Sequence, residues 1–330
     1  MAENITLKKV GSFYIGGHKV TIAGKEKYTA IMNNSGMKRV IDPNGDFWTG
    51  QMYVQYYLQA QAKAKYPLTL WHGGGLSGAC WEDTPEGKEG FANYFLRKGY
   101  DVYVSDAVER GRASWSQYPD IYTTEPIFRT YEQAWESFRI GPKYNSDPSQ
   151  RKPFAGSQYP VEYFDVLMMQ AIPRWTTNLE TTLAAYEEYL RKLGKAIIIV
   201  HSQGCIFAGQ AVLDCPENVK AVVYLEPSGV PDFTKNDLSK LKDIPQLYIW
   251  GDYLDEYPTW STQETGKKSY YRDAKRYYEE LKKYTNLAEW IELPKLGIKG
   301  NSHMLIQEKN CLDIAELINK WLAKHDLVSE

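Results

Sequence analysis

The residues with the most chemistry to offer sit together in His201-Ser202-Gln203-Gly204, directly after the β-branched run Ile197-Ile198-Ile199-Val200. Such a run reads as a buried parallel strand, and the small, apolar stretch over 204–212 reads as a packed helix. A serine on a sharp strand-to-helix turn holds its hydroxyl above the sheet, and the next backbone N–H is free to bind an anion. That geometry suits a nucleophile for acyl transfer. The match to G-x-S-x-G is partial: Gly204 supplies the second glycine, and Val200 stands in place of the first. Ordinary buried turns share this string, so its meaning depends on what surrounds it.

A second chemical stretch, His72-Gly73-Gly74-Gly75-Leu76-Ser77-Gly78, follows the short apolar strand over 67–71. Gly73, Gly75 and Gly78 spell G-x-G-x-x-G, and Asp106 ends the next strand, as in a dinucleotide site. That fingerprint must open a helix at once, yet Pro85 and Gly87 fall where its early turns would be, and the helix begins near Phe91. The competing reading is an oxyanion loop, whose backbone N–H faces a substrate carbonyl oxygen and whose glycines permit the unusual φ/ψ this needs. The helix requirement favours the oxyanion loop.

A nucleophilic serine needs a base. His18 lies in a hairpin, His72 in the glycine loop, His201 beside the serine, and His325 behind the last helix, which leaves His303 after the final strand. His303 would take the Ser202 proton while a carboxylate holds the imidazole in one tautomer. Glu226 follows the strand over 219–225, and Asp252 and Asp255 follow the strand over 246–250. All three lie at the edge where α/β sites form. Spacing alone leaves the choice open.

The elements that must position these groups follow from periodicity. Residues 12–22 alternate around Gly16-Gly17, a hairpin signal between short strands, and 51–58 reads as a third strand; 25–46 reads as loop. Helices are expected over 91–98, 270–283 and 312–324, and strands over 100–105 and 289–293. Thr177 and Glu180 form a capping box for a helix that Gly194 stops. Arg110 and Arg112 read as part of a solvated loop, and His303 as carried on a mobile one. The chain divides into a first core segment (1–114), a proline- and aromatic-rich insertion (115–175) and a second core segment (176–330). Sixty structureless residues would be unusual inside a compact domain, so the insertion is expected to carry short helices, cover the site as a cap, and line an apolar or stacking pocket.

With 330 residues, 43% of them apolar, the chain can bury a large core as one decorated domain. A formal net charge of -2 with mixed signs argues against nucleic-acid partners. No apolar run reaches the roughly 18 residues a membrane helix needs. Residues 1–9 carry no apolar leader core, so the cytoplasm is expected as written, with the periplasm or secretion as the alternative if a leader has been cleaved. Cys80, Cys205, Cys215 and Cys311 show no metal spacing and read as reduced and mostly buried.

Four segments, Gly50-Gln51-Met52-Tyr53-Val54, Trp71-His72-Gly73, Cys80-Trp81-Glu82-Asp83-Thr84-Pro85-Glu86-Gly87 and His201-Ser202-Gln203, resemble a small branch of bacterial carboxylesterases. That branch lies within the α/β-hydrolase superfamily, which the chain resembles over nearly its whole length. The resemblance implies an α/β-hydrolase fold: a mostly parallel central sheet, an N-terminal antiparallel hairpin and an inserted cap. It implies Ser202 as nucleophile, His303 as base, Glu226 as the acid after the sixth strand, and the N–H groups of Gly74 and Gln203 as oxyanion donors. Asp255 holds the acid position more common in the wider superfamily and is the alternative. Val200, in place of a smaller residue, bears on how closely strand and helix can pack.

The expected activity is hydrolysis of a carboxylic ester, with a lactone as a variant, through an acyl-enzyme and without cofactor or metal. The expected partner is a small ester of apolar or aromatic character; neither nucleic acid nor membrane is expected, and a homodimer is the assembly left open. Two other classes remain: an NAD-dependent oxidoreductase using Gly73-x-Gly75-x-x-Gly78, and a non-catalytic binding protein on a hydrolase scaffold.

Overall fold

The computed structural model describes residues 4–264 and 266–328. Its strands are β1 (Leu7–Ile22), β2 (Tyr28–Ile31), β3 (Lys38–Ile41), β4 (Gly45–Gln59), β5 (Leu68–Trp71), β6 (Val102–Asp106), β7 (Ala196–His201), β8 (Val219–Leu225), β9 (Gln246–Trp250) and β10 (Ala288–Glu292). The α-helices are α1 (Phe91–Arg97), α2 (Tyr131–Ser137), α3 (Phe164–Met169), α4 (Leu179–Leu193), α5 (Gly204–Asp214), α6 (Tyr270–Leu281) and α7 (Cys311–Lys324).

Eight strands form one sheet in the order β1-β4-β6-β5-β7-β8-β9-β10. The pairs β1–β4 and β4–β6 are antiparallel, and the remaining pairs are parallel. This is the α/β-hydrolase fold. Every residue of β7 is buried, as an interior strand with helices on both faces requires. Ile197 and Ile199 enter one core with α1 and α7, while Ile198 and Val200 enter the other with α4 and α5. The loops at the C-terminal ends of the parallel strands are thus held from both sides.

The N-terminal part departs from expectation. Gly16 and Gly17 do take positive φ (73° and 83°), but they lie inside one continuous strand, β1. Pairing with β4 continues in register from Gly16↔Gln51 to His18↔Thr49, so the strand runs through the glycines without reversing. The reversal lies farther on, in the segment expected to be loop. There β2 and β3 form a small hairpin whose turn is closed by the Gly36 N–H donating to Asn33 O at 3.0 Å.

The capping box at Thr177 is also absent. Asn178 caps α4 without a side-chain bond to the helix, and its Nδ2 donates to Glu109 Oε2 at 2.8 Å. Gly194 ends that helix as expected, at φ 74°.

Residues 115–175 leave the sheet after β6 and return at α4, carrying α2 and α3. The Trp135 and Phe164 rings meet edge-on at 5.1 Å, and Tyr131, Tyr144 and Tyr159 also pack on Phe164. Most rings here therefore pack on one another. The segment is stitched over the sheet edge by backbone bonds: Ile172 N–H to Gly75 O at 3.0 Å, Gln158 N–H to Gly300 O at 2.7 Å, and His303 N–H to Phe138 O at 2.9 Å. Among the described residues, no helix is long and apolar enough to cross a membrane.

Candidate active site

Two parallel strands end in the same way. Ser202, one residue past β7, has φ 55°, and Glu226, one residue past β8, has φ 51°. Left-handed backbone at a non-glycine residue costs about 1–3 kcal/mol and persists only where its surroundings impose it. Here each residue stays tied to the neighbouring strand: Ser202 N–H donates to Leu225 O and Glu226 N–H to Ile249 O, both at 2.9 Å. Each side chain is thereby turned up above the sheet. The turn after Ser202 is close-packed, since a Cβ on Gly204 would lie 2.7 Å from both His72 O and Val200 Cγ2. Val200 is accommodated because position 204 carries no side chain.

His303 completes a row. Its Nε2 lies 2.8 Å from Ser202 Oγ, and its Nδ1 lies 3.3 Å from Glu226 Oε2. The other carboxylate oxygen, Glu226 Oε1, accepts from Gly251 N–H at 2.5 Å and from Arg139 Nη2 at 2.8 Å. Both members of that ion pair are wholly buried. Asp255 is turned elsewhere, accepting from Ser261 Oγ, Thr262 N–H and Thr262 Oγ1. Asp252 is engaged by the N–H groups of Tyr253 and Gly300. Of the three candidate acids, the structure brings Glu226 to His303 and leaves Asp255 at a separate turn.

The loop bearing His303 is held in place, contrary to the mobile loop expected. His201 Nε2 donates to His303 O at 2.8 Å, and Glu308 accepts from Ser302 N–H and Asn301 Nδ2, both at 2.7 Å. The imidazole is 1% exposed, with the Trp260 ring 4.4 Å away and the Phe138 ring 5.4 Å away. Burial, then the Arg139 and Arg129 charges, hold its pKa well below the ordinary histidine value. Such a shift favours the neutral imidazole.

The glycine loop stands opposite. Burial lowers the His72 pKa to about 4. Its neutral ring accepts from Ala107 N–H at Nε2, which leaves Nδ1–H to donate to Gly73 O at 2.8 Å. A Cβ on Gly73 would lie 2.8 Å from Ser202 Cβ, so only glycine lets this loop approach the serine. The N–H groups of Gly74 and Gln203 donate to no acceptor among the described residues.

The dinucleotide reading does not fit this arrangement. The third glycine opens a short 3-10 turn, Gly78–Trp81, instead of a helix. Buried Asp106 accepts from Gly78 N–H at 2.6 Å and from Arg112 Nε at 2.8 Å, which leaves it no role toward a ribose. Arg110 is likewise buried, so the loop read as solvated is a packed one.

Ser202 is 8% exposed and opens, with His303 and Gly74, on a cavity of about 210 Å³. Phe138, Tyr257, Trp260 and Tyr270 form much of its wall, and Arg129 and Arg174 also line it. Sequence reasoning missed Arg129, Arg139, Arg174 and Glu308. The insertion's arginines offered one local signal: charged residues inside an aromatic-rich segment need partners, though spacing does not say which.

No protein-family model matches the chain. It is similar to a solved structure described as a novel bacterial esterase, at 32% identity and a TM-score of 0.83, covering 98% of each chain. It is also similar to a protein named probable secreted lipase phiG from a fungus (strain ATCC 74256), at 25% identity over 85% of this chain and 88% of that protein.

Proposed function

The chain belongs to the esterases of the α/β-hydrolase fold, and from that premise we propose that it cleaves its ester through an acyl-enzyme on Ser202. The protein is a carboxylesterase-type serine hydrolase. The proposed steps use the groups described above. As Ser202 Oγ attacks the acyl carbon, its proton passes to His303 Nε2, and the carbonyl oxygen becomes an oxyanion facing the N–H groups of Gly74 and Gln203. Glu226 holds the Nδ1–H tautomer and balances the imidazolium. The C–O bond then breaks, and the alkoxide leaves as an alcohol with the proton from His303. Water, deprotonated by the same imidazole, attacks the acyl-enzyme and releases the acid, returning the proton to Ser202. A lactone would react in the same way.

The 2.8 Å contact between Ser202 Oγ and His303 Nε2 carries this reading, because a general base must reach the proton it removes. Residues 115–175 serve as the cap, and the aromatic wall receives the hydrocarbon part of a small-molecule ester. For the compartment, the four buried free cysteines suit a reducing cytoplasm. Export, as the fungal lipase's name states for that protein, is the alternative, and fractionation of the native host decides between them. The mechanistic test is pre-steady-state hydrolysis of a 4-nitrophenyl ester with fluorophosphonate labelling. A burst of one nitrophenolate per active site, with labelling lost in Ser202→Ala, is expected; steady turnover with no burst and labelling elsewhere would rule out this nucleophile.

A further inference from the structure

The insertion contains four arginines, Arg129, Arg139, Arg151 and Arg174. Two are neutralised within the chain: Arg139 by Glu226 and Arg151 by Asp165. Arg129 and Arg174, the two that line the cavity at Ser202, form no ion pair among the described residues. Arg129 is held by Ser137 Oγ at 2.6 Å and lies 4.5 Å over the Phe138 ring, while the Arg174 guanidinium makes no hydrogen bond among the described residues. A methyl group added at Gly74 would sit 2.8 Å from Arg174 Nη1, which places this cation beside the oxyanion loop. The same two side chains also border a second cavity of about 290 Å³, so they stand between it and the serine.

Unneutralised cations in a partly dry wall are unfavourable. Burial lowers the pKa of both, and for Arg129 the neighbouring Arg174 charge adds to this. The titratable groups that interact with this pair are Tyr257 and Tyr270, the Arg110 cation and the His303 imidazole, none of them a carboxylate. Solvating two such charges on the cavity side is work a ligand oxyanion can do, and guanidinium forks match carboxylate and phosphate oxygens.

We propose that Arg129 and Arg174 form an anion subsite, so that the preferred substrate is an ester with an ionised oxyanionic group, such as the half-ester of a dicarboxylic acid, on a short hydrocarbon spacer. This rests on the serine-hydrolase reading above and specifies the substrate class for it. The scissile ester would lie at Ser202 and Gly74, with its spacer along the aromatic wall and its charged end between the guanidinium groups.

The test compares kcat/KM for monomethyl adipate, methyl heptanoate and a methyl ester ending in a phosphate monoester, by pH-stat at low ionic strength. Wild type should favour the anionic esters over the neutral one by about 10- to 100-fold, as charged hydrogen bonds at a partly desolvated site imply. The ratio should fall toward one in Arg129→Met/Arg174→Met and recover in part in the double lysine variant. The two anionic arms show whether carboxylate or phosphate is preferred. An equal or higher kcat/KM for methyl heptanoate in wild type, or a ratio unmoved in the double methionine variant, overturns the proposal and leaves the serine mechanism intact. If no ester is turned over in a Ser202-dependent way, the mechanism fails instead. Calorimetric binding of adipate against heptanoate to Ser202→Ala, and its loss when both arginines are replaced, then decides the subsite by itself. Thermal unfolding of each variant separates loss of fold from loss of charge.

Discussion

The candidate active site has two halves built by different means. Ser202, Glu226 and the glycine loop stand at strand ends of a sheet whose core dictates where each strand stops, and His303 joins them on a loop fastened by Glu308 and His201. The other half comes from the irregular chain over 115–175, whose Phe138, Arg129, Arg139 and Arg174 reach the same place on a segment stitched down by a few backbone bonds. In the proposed mechanism the sheet half fixes which bond is made and broken. The insertion half sets the charge around that reaction, with one arginine neutralised on Glu226 and two left facing the cavity. Reaction and selectivity should therefore fail separately.

The largest expected effects fall on the sheet half. Ser202→Ala should lower kcat by roughly 10⁴- to 10⁶-fold, and Glu226→Gln by about 10⁴-fold through loss of the tautomer it holds. Asp255→Asn should change kcat by less than about threefold, since its carboxylate serves only a local turn. A larger loss in Asp255→Asn than in Glu226→Gln would reverse the acid assignment.

The same division explains what the sequence discloses. A strand covered on both faces is written as an unbroken apolar run, and its site residue follows directly after, so Ser202 and the ends of β5, β7, β8 and β9 are legible. His303 is found by elimination among five histidines. The acid is harder, because Glu226, Asp252 and Asp255 all follow strand ends, and only side-chain direction separates them. Arg139 is invisible by any local rule: its partner lies 87 residues away, and nothing in the spacing of the insertion encodes that approach. Gly16-Gly17 misleads for a related reason. The pattern for a hairpin is local, whereas the pairing with β4 that keeps the strand continuous is not.

The next effect in size crosses between the halves. Arg139→Met should destabilise the protein by about 3–5 kcal/mol, because it strands the buried Glu226 charge without its partner. Chemical denaturation measures this directly. Glu226→Gln/Arg139→Met should be more stable than Arg139→Met alone; if the double variant is the weaker of the two, the pair is not a neutralising one.

A smaller effect concerns the loop under His303. Burial raises the Glu308 pKa to about 7, despite hydrogen bonds from Ser302 and Asn301. Between the ordinary carboxylate pKa and about 7, the folded chain keeps a proton that the unfolded chain releases. This group therefore lowers stability as pH rises across that window, by up to ~1.4 kcal/mol per pH unit. Glu308→Gln should flatten the pH dependence of the unfolding free energy from pH 5 to 7, as read by denaturation at each pH. An unchanged slope would mean that the carboxyl titrates normally.

The smallest effect isolates the charge that the insertion places near the base. In the proposed mechanism His303 must be neutral to accept the Ser202 proton, and its pKa lies below the ordinary histidine value through burial, with Arg139 and Arg129 adding to it. The acid limb of kcat/KM for a neutral ester should therefore fall well below pH 6.5, since activity is lost only when the imidazole becomes protonated. In Arg129→Met one nearby positive charge disappears, the imidazolium becomes easier to form, and the limb should move to higher pH. Arg129→Lys should leave it close to wild type. A limb insensitive to position 129 would mean that the insertion leaves the base's proton affinity untouched and acts on the substrate alone, and one that moves down would mean that the Arg129 charge does not oppose the imidazolium.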